Sequence, residues 1–258
     1  MNPPDIKLYG VVGNPISHSL SPKIHNSWIE NYNLKAFYTP LLIESEQNFE
    51  ASIKTLPLLG FCGVNITVPY KQNAYSICDE LSVEAQSIGA VNCLHFTNNK
   101  IIGYNTDAFG FLYPLQCKQI TNALVIGAGG ASRAVIYSLK TIGCSVDICN
   151  RTFSEAIKLT KHFGCNAIES LLSQINLEKY DIIINATSLG LSNEAIELNY
   201  KTAGKTCIFY DIIYKKNSLT PFLQAAKAHN ITTTLDGLAM LYAQAAKSFE
   251  IWHGIIPI

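Results

Sequence analysis

Short apolar runs alternate along this chain with longer segments whose apolar residues recur every three or four positions. The runs predict strands and the longer segments predict helices, because a strand repeats every two residues and a helix returns to one face after about 3.6. The first half gives strands over IKLYGVV (6–12) and AFYTPLLI (36–43), with a helix between them that begins near Pro22, a residue suited to a first helical turn. A helix over about 45–58 leads into the strand GVNITVP, and another helical segment lies near 80–88. AVNCLHFTNNKIIGYNT then predicts two strands joined at Asn98–Asn99, since Asn tolerates the backbone of a tight hairpin turn.

From Asn122 the alternation becomes regular. NALVIG is a strand, and the helix after it stops at Gly143. SVDICN is the next strand, followed by a helix capped by Ser154 and ended by Gly164. YDIIINA and TCIFYDII are further apolar strands. A helix around PFLQAAKAHN precedes the strand ITTTL, and LAMLYAQAAKSFEIW is one amphipathic helix. Continuous apolar strands separated by helices imply mainly parallel sheets covered on both faces. The expected fold is α/β and two-lobed, with a first domain over 1–109 and a second over 110–236. The final helix, 237–258, is expected to pack back on the first.

Composition narrows the function classes. The 258 residues are 48% hydrophobic and 15% charged, which suits a chain with sizeable cores. Lys plus Arg equals Asp plus Glu at 19 each, so nothing electrostatic favours nucleic acid or an anionic membrane as partner. The eight cysteines (62, 78, 93, 117, 144, 149, 165 and 207) contain no Cys-x-x-Cys pair and mostly sit in apolar runs, as buried free thiols do. No metal site is expected. MNPPDIKLYG lacks the pattern of a signal peptide and no apolar run reaches membrane-span length, so a reduced, cytoplasmic setting is expected.

GAGGAS (127–132) joins the strand ALVI directly to a helix. Glycine turns often serve chain reversal alone, but strand, turn and helix together make a dinucleotide site of Rossmann type. Gly127 allows the tight turn, Gly129 lets a ligand approach the backbone, and the helix start offers free N–H groups to a pyrophosphate. Ser132 stands where the fingerprint has its third glycine, which would slightly relax helix–strand packing. The next strand ends in Asn150-Arg151-Thr152 rather than in an acid. Arg151 can pair with a 2′-phosphate, which favours NADP over NAD. Asp147 is near enough in sequence for a ribose contact but falls inside the strand.

Four segments of the first half place polar side chains at strand ends, where ligands of open α/β sheets bind. They are Ser19 and Ser21 in GNPISHSLSP; Asn65, Thr67 and Lys71 in NITVPYK; Asn92 in GAVN; and Asn105, Thr106 and Asp107. Singly, each has a structural explanation: Ser21 as an N-cap before Pro22, Asn105 and Asp107 as turn and cap residues, Lys71 as a solvated lysine. Together they describe a cavity rich in hydroxyls and amides, with one lysine and one carboxylate, suited to a small polyhydroxylated substrate. Lys71 and Asp107 form a plausible acid–base pair, which beside a nicotinamide cofactor points to reversible alcohol/ketone oxidation. His18 is read as structural.

The motifs GNPISHSLSPKIHN, GVNITVPYK, GAVN, GYNTD, GAGGASR, NRT, NATSLG, YDIIY and DGLAMLYAQAAKSFEIWHG run nearly end to end, and with them the chain resembles the shikimate dehydrogenase family. The resemblance implies NADPH-dependent reduction of 3-dehydroshikimate to shikimate, in aromatic amino-acid biosynthesis. It implies two lobes around a cleft: a substrate domain and an NADP-binding Rossmann domain, as a monomer or homodimer. Ser19, Ser21, Asn65, Thr67, Asn92, Asp107 and Gln244 would contact the substrate, with Tyr214 beside them and Lys71 as the acid–base residue. Gly127, Ala128, Gly129, Gly130 and Ala131 would hold the pyrophosphate, and Asn150, Arg151 and Thr152 the adenosine phosphate. Ile212 and Gly237 would border the nicotinamide. Glu155, close after NRT, would oppose that phosphate and weaken the NADP preference. A quinate-active enzyme using NAD is the nearest alternative. A non-catalytic nucleotide sensor is another, disfavoured because sensing needs neither Lys71 nor Asp107.

Overall fold

Several strands stop at or just before Gly or Asn: Lys7–Gly13 at Gly13, Asn122–Ile126 before Gly127, Ser145–Cys149 before Asn150 and Ile182–Asn185 at Asn185. The computed structural model describes residues 6–190 and 194–257. The chain divides into two units, Met1–Gly110 with Leu241–Ile258, and Phe111–Met240.

The first unit holds β1 (Lys7–Gly13), β2 (Ala36–Leu42), β3 (Phe61–Ile66), β4 (Glu80–Leu81), β5 (Cys93–Thr97) and β6 (Lys100–Tyr104). They lie in the order β2-β1-β3-β5-β6-β4. β1 pairs in parallel with β2 and β3, and β4 with β6. The β3–β5 and β5–β6 pairs are antiparallel, so the sheet is mixed. The cause is local: Asn98 and Asn99 have φ of 50° and 57°, and a two-residue connection joins only antiparallel neighbours.

Around this sheet lie α1 (Ser21–Asn31), α2 (Phe49–Thr55), α3 (Lys71–Ser76), α4 (Val83–Ile88) and the start of α5 (Asp107–Leu112). β1 shows the period of two: Tyr9 and Val11 join Tyr38, Phe249 and Trp252, while Val12 joins Ile53, Val64 and Leu94 on the opposite face. On β3, Val64 and Ile66 enter the second cluster, which turns Asn65 to the first. Several local expectations are corrected. The helix over 45–58 is broken, a 3₁₀ turn before α2 and another after it, where Pro57 supplies no N–H and Gly60 ends the segment at φ 88°. Ser21 is the first residue of α1 rather than its cap; Leu20 occupies the cap position with no side-chain bond. The 80–88 segment is β4 followed by α4, which Ser82 caps by accepting from the Ala85 N–H.

The second unit contains β7 (Asn122–Ile126), β8 (Ser145–Cys149), β9 (Asn166–Ala167), β10 (Ile182–Asn185), β11 (Ile208–Asp211) and β12 (Thr234–Leu235). Their order is β12-β11-β10-β7-β8-β9 and every pairing is parallel. With α6 (Gly130–Thr141), α7 (Phe153–Phe163) and α8 (Pro221–Ala228), this is a doubly wound Rossmann sheet whose strand order reverses between β7 and β10. Apolar clusters cover both faces, one with Val125, Ile148 and Ile184, the other with Leu124, Ile183 and Phe209. Ser154 does not cap α7; Thr152 holds that position without a side-chain bond, and Gly164 ends the helix at φ 63°. The chain's last long helix is α9 (Leu238–His253).

Candidate active site

In the first unit, β3, the β6–α5 junction, α3 and α9 deliver polar side chains to one network. Lys71 opens α3 and Asp107 opens α5, and Lys71 Nζ lies 2.6 Å from Asp107 Oδ2, the two side chains 12% and 7% exposed. Asn92 Nδ2 donates to Asp107 Oδ1 (2.9 Å) and to Thr106 Oγ1 (2.9 Å), while Asn92 Oδ1 accepts from the Thr106 N–H (2.7 Å). The carboxylate is therefore held from both sides and keeps its orientation toward the lysine. Gln244 Oε1 faces Asn92 and Thr106 at 3.4 Å, and Gln244 Nε2 donates to the Leu241 carbonyl (3.0 Å). Asn105 is bound to the Ala90 carbonyl through Nδ2 and caps the start of α5 by accepting from the Ala108 N–H.

Asn65 is buried and bonded at both ends of its amide: Tyr38 donates to its Oδ1, and its Nδ2 donates to the Asn92 carbonyl and Ser248 Oγ. Ser19 and Ser21 lie at the entry to α1, where Ser19 Oγ accepts from the Ser21 N–H (3.3 Å). Thr67 follows β3, half-buried, with its methyl so close to Gly13 that a Cβ there would approach it to 2.4 Å. His18 is exposed. The buried histidine is His25, stacked on Tyr38 with centroids 4.2 Å apart; burial, aided by His253, lowers its pKa to about 3. Its Nε2 has no hydrogen-bond partner.

In the second unit the glycine turn has the shape a pyrophosphate requires. Gly127 has φ 111°, and a Cβ on it would meet Thr187 Cγ2 at 2.8 Å. Gly129 occupies the cap position of α6, and a Cβ there would meet nothing within 4 Å, which leaves its side of the turn open to a ligand. Ala128, Gly130 and Ala131 complete the turn and the first residues of α6. Ser132 is fully buried and bonds the Ala186 carbonyl (3.4 Å), so it ties α6 to the end of β10 rather than loosening that contact. After β8, Asn150 Nδ2 donates to the Thr152 carbonyl (2.8 Å), while Arg151 and Thr152 are exposed. Asp147 is removed from any ligand role: it accepts from Lys179, Tyr180 and Asn166. Burial works to raise its pKa, and those bonds outweigh burial and lower it.

Ile212 donates its N–H to the Asn185 carbonyl, and a Cβ on Gly237 would stand 2.0 Å from the Ile212 carbonyl oxygen, so only glycine fits. Tyr214 follows, half-buried. Behind this segment lies Asp211, which sequence reasoning did not single out. Its Oδ1 accepts from Asn185 Nδ2 (3.0 Å) and the Ile213 N–H (3.1 Å), and its Oδ2 from Thr220 Oγ1 (2.5 Å). Burial pushes its pKa up to about 6 against those bonds. Tyr38 and Ser248 were likewise missed. The spacing of Gln244 and Ser248, one helical turn, was the available signal for the latter.

The profile of the shikimate dehydrogenase substrate binding domain matches residues 11–94, and that of the shikimate / quinate 5-dehydrogenase domain matches residues 115–216. A shikimate dehydrogenase (NADP(+)) of Acidiphilium cryptum is 37% identical over 257 residues, covering 98% of this chain and 92% of the relative. The chain belongs to the shikimate dehydrogenase family. Among solved structures of the family, the Aquifex aeolicus enzyme superposes with a TM-score of 0.91 at 37% identity, covering 100% of this chain and 96% of that one. The Thermus thermophilus enzyme, solved in complex with NADP(H) and shikimate, gives 0.87 at 34% identity, covering 97% and 95%.

Glu155, close after Arg151 in sequence, accepts from Lys158 Nζ at 2.7 Å in an exposed pair.

Proposed function

We infer that this chain catalyses the reversible NADPH-dependent reduction of 3-dehydroshikimate to shikimate. The observation that carries this reading is the Lys71–Asp107 pair, set in a network of amides and hydroxyls in a member of this family. A nicotinamide cofactor supplies the hydride; Gly127, Ala128, Gly129, Gly130 and Ala131 would hold its pyrophosphate, with Ile212 and Gly237 beside the nicotinamide. Asn150, Arg151 and Thr152 would bind the adenosine phosphate, so NADP is the cofactor used.

Lys71 donates a proton to the ketone oxygen as negative charge develops on it, and takes one from the hydroxyl in the reverse direction. Asp107, oriented by Asn92, keeps the ammonium aimed and accepts from a neighbouring substrate hydroxyl. Ser19 and Ser21 form the carboxylate clamp, and Asn65, Thr67, Asn92, Gln244 and Tyr214 complete the substrate contacts. A small-molecule substrate is the expected partner, with neither nucleic acid nor membrane; no helix among the described residues is long and apolar enough to cross a membrane. The setting is cytoplasmic, as a monomer or homodimer.

The test is nicotinamide absorbance followed with shikimate and with quinate, each with NADP⁺ and NAD⁺. Shikimate with NADP⁺ should give the highest kcat/KM. A higher value with quinate or with NAD⁺ overturns the corresponding part of the reading.

A further inference from the structure

A continuous line of hydrogen bonds crosses the interior of the first unit from Tyr38 on β2 to the lysine. The Tyr38 O–H donates to Asn65 Oδ1 at 2.8 Å. With its oxygen so engaged, Asn65 sends its amide hydrogens the other way, to the Asn92 carbonyl (3.1 Å) and Ser248 Oγ (2.9 Å). Ser248, fully buried on α9, donates its proton to the Gln244 carbonyl one turn earlier (3.0 Å). A hydroxyl carries one proton. Ser248 Oγ is thereby an acceptor toward its remaining neighbours, and across the 3.2 Å contact with Thr106 the Thr106 hydroxyl is the donor. Thr106 Oγ1 then accepts from Asn92 Nδ2, which also binds Asp107.

We propose that Ser248 is a positioning residue: by its fixed acceptor role it sets the donor–acceptor direction of this line, and so holds Asn92 and the Gln244 carboxamide in the arrangement that receives substrate hydroxyls. The proposal rests on the substrate reading above. Ser248 lies behind Asn65, Thr106 and Gln244, and acts through them. Without its oxygen, Asn65 and Thr106 each lose an acceptor in a region withdrawn from water, where unpaired donors are costly. Asn65 then turns its amide, or Thr106 redirects its proton to Gln244 Oε1 or Asn92 Oδ1, which lie at 3.4 and 3.3 Å. Either movement changes what Gln244 and Asn92 present to a ligand. The 2.6 Å Lys71–Asp107 bond is not part of that exchange.

The experiment measures steady-state kinetics with shikimate and NADP⁺, and thermal unfolding, for the wild type and for Ser248→Ala, Ser248→Thr and Ser248→Val. Thr and Val share a shape and differ in the hydroxyl, so that pair separates hydrogen bonding from packing. Ser248→Ala and Ser248→Val should raise the KM for shikimate about tenfold, with kcat within about threefold and the KM for NADP⁺ unchanged. Ser248→Thr should restore the shikimate KM to near wild type. An unchanged shikimate KM in Ser248→Ala, equal losses in Ser248→Thr and Ser248→Val, or parallel rises in both KM values would overturn the proposal. A wild type that turns over NADP⁺ with another alcohol but not with shikimate overturns the substrate reading and this proposal with it; normal wild-type turnover beside any of the earlier three outcomes removes this proposal alone.

Discussion

Lys71 Nζ and Asp107 Oδ2 stand 2.6 Å apart, and Asn92 holds the far oxygen of the same carboxylate. The two charged residues come from the first positions of two different helices, α3 and α5, so backbone geometry sets their separation. A lysine paired in this way is aimed, and aim is what a proton donor to a ketone oxygen needs.

Replacing Lys71 with alanine should therefore lower kcat by about two to four orders of magnitude while changing the KM for shikimate far less. Rapid-quench or absorbance assays at saturating shikimate measure it. A kcat close to wild type would remove Lys71 from the chemistry.

Arg151 is exposed after β8, and Glu155 nearby is paired with Lys158. Arg151→Ala should lower the ratio of kcat/KM for NADPH over NADH by about tenfold, the scale of one charge-assisted phosphate contact. An unchanged ratio would mean that the 2′-phosphate is read elsewhere.

Asp211 makes stability depend on pH. Its folded pKa, about 6, lies above the unfolded value near 3.9, so the folded state binds more protons between these limits. Its contribution is full below about pH 3.9 and is lost as pH rises through 6. Asp211→Asn abolishes that dependence and can still accept from Asn185 and donate to Thr220. The stability of Asp211→Asn relative to wild type should rise between pH 4 and 6 by roughly 3 kcal/mol, then level off. Urea unfolding across this range checks it, and a difference independent of pH contradicts it.

His25 acts in the opposite sense. Its folded pKa, about 3, lies below the unfolded value near 6.5, so its neutral form stabilises the fold at neutral pH and that stabilisation fades as pH falls. His25→Phe keeps an aromatic ring on Tyr38 and removes a buried nitrogen without a partner. It should resist acid better than the wild type, by about 3 kcal/mol at pH 4.5 relative to the difference at pH 7. Acid unfolding followed by tryptophan fluorescence measures this; identical acid midpoints would contradict it.

Much of the fold could be read from the chain because its strands are apolar runs ended by strong punctuation. Gly164 ends α7 in a left-handed conformation, and Asn98–Asn99 dictates the β5–β6 hairpin. The parts not foreseen are short or polar. β4 and β9 have two residues each, too few to display a period, and KQNAYS, which forms α3, carries no apolar stripe. Ser154 was misread because a serine near a helix start is an ordinary cap signal, whereas here the helix begins at Phe153 and Thr152 holds the cap position.

In the candidate site, Lys71 and Asp107 were visible because charged residues at strand ends stand out from apolar surroundings. Ser248 and Tyr38 were not, since a lone serine in an amphipathic helix and a tyrosine in a strand look like ordinary packing. Asp211 was hidden for another reason: it falls inside the apolar run TCIFYDII, which reads as one strand, whereas β11 ends at Asp211 itself.

Ser132, buried against the Ala186 carbonyl, bears on how such turns are recognised in other chains. A search that demands three glycines passes over this one. What the position requires is a side chain small enough for the helix to sit close to the neighbouring strand, and serine meets that requirement while adding a tether. The rule at the third position is one of size and reach, and sequences with serine there belong in the same set as those with glycine.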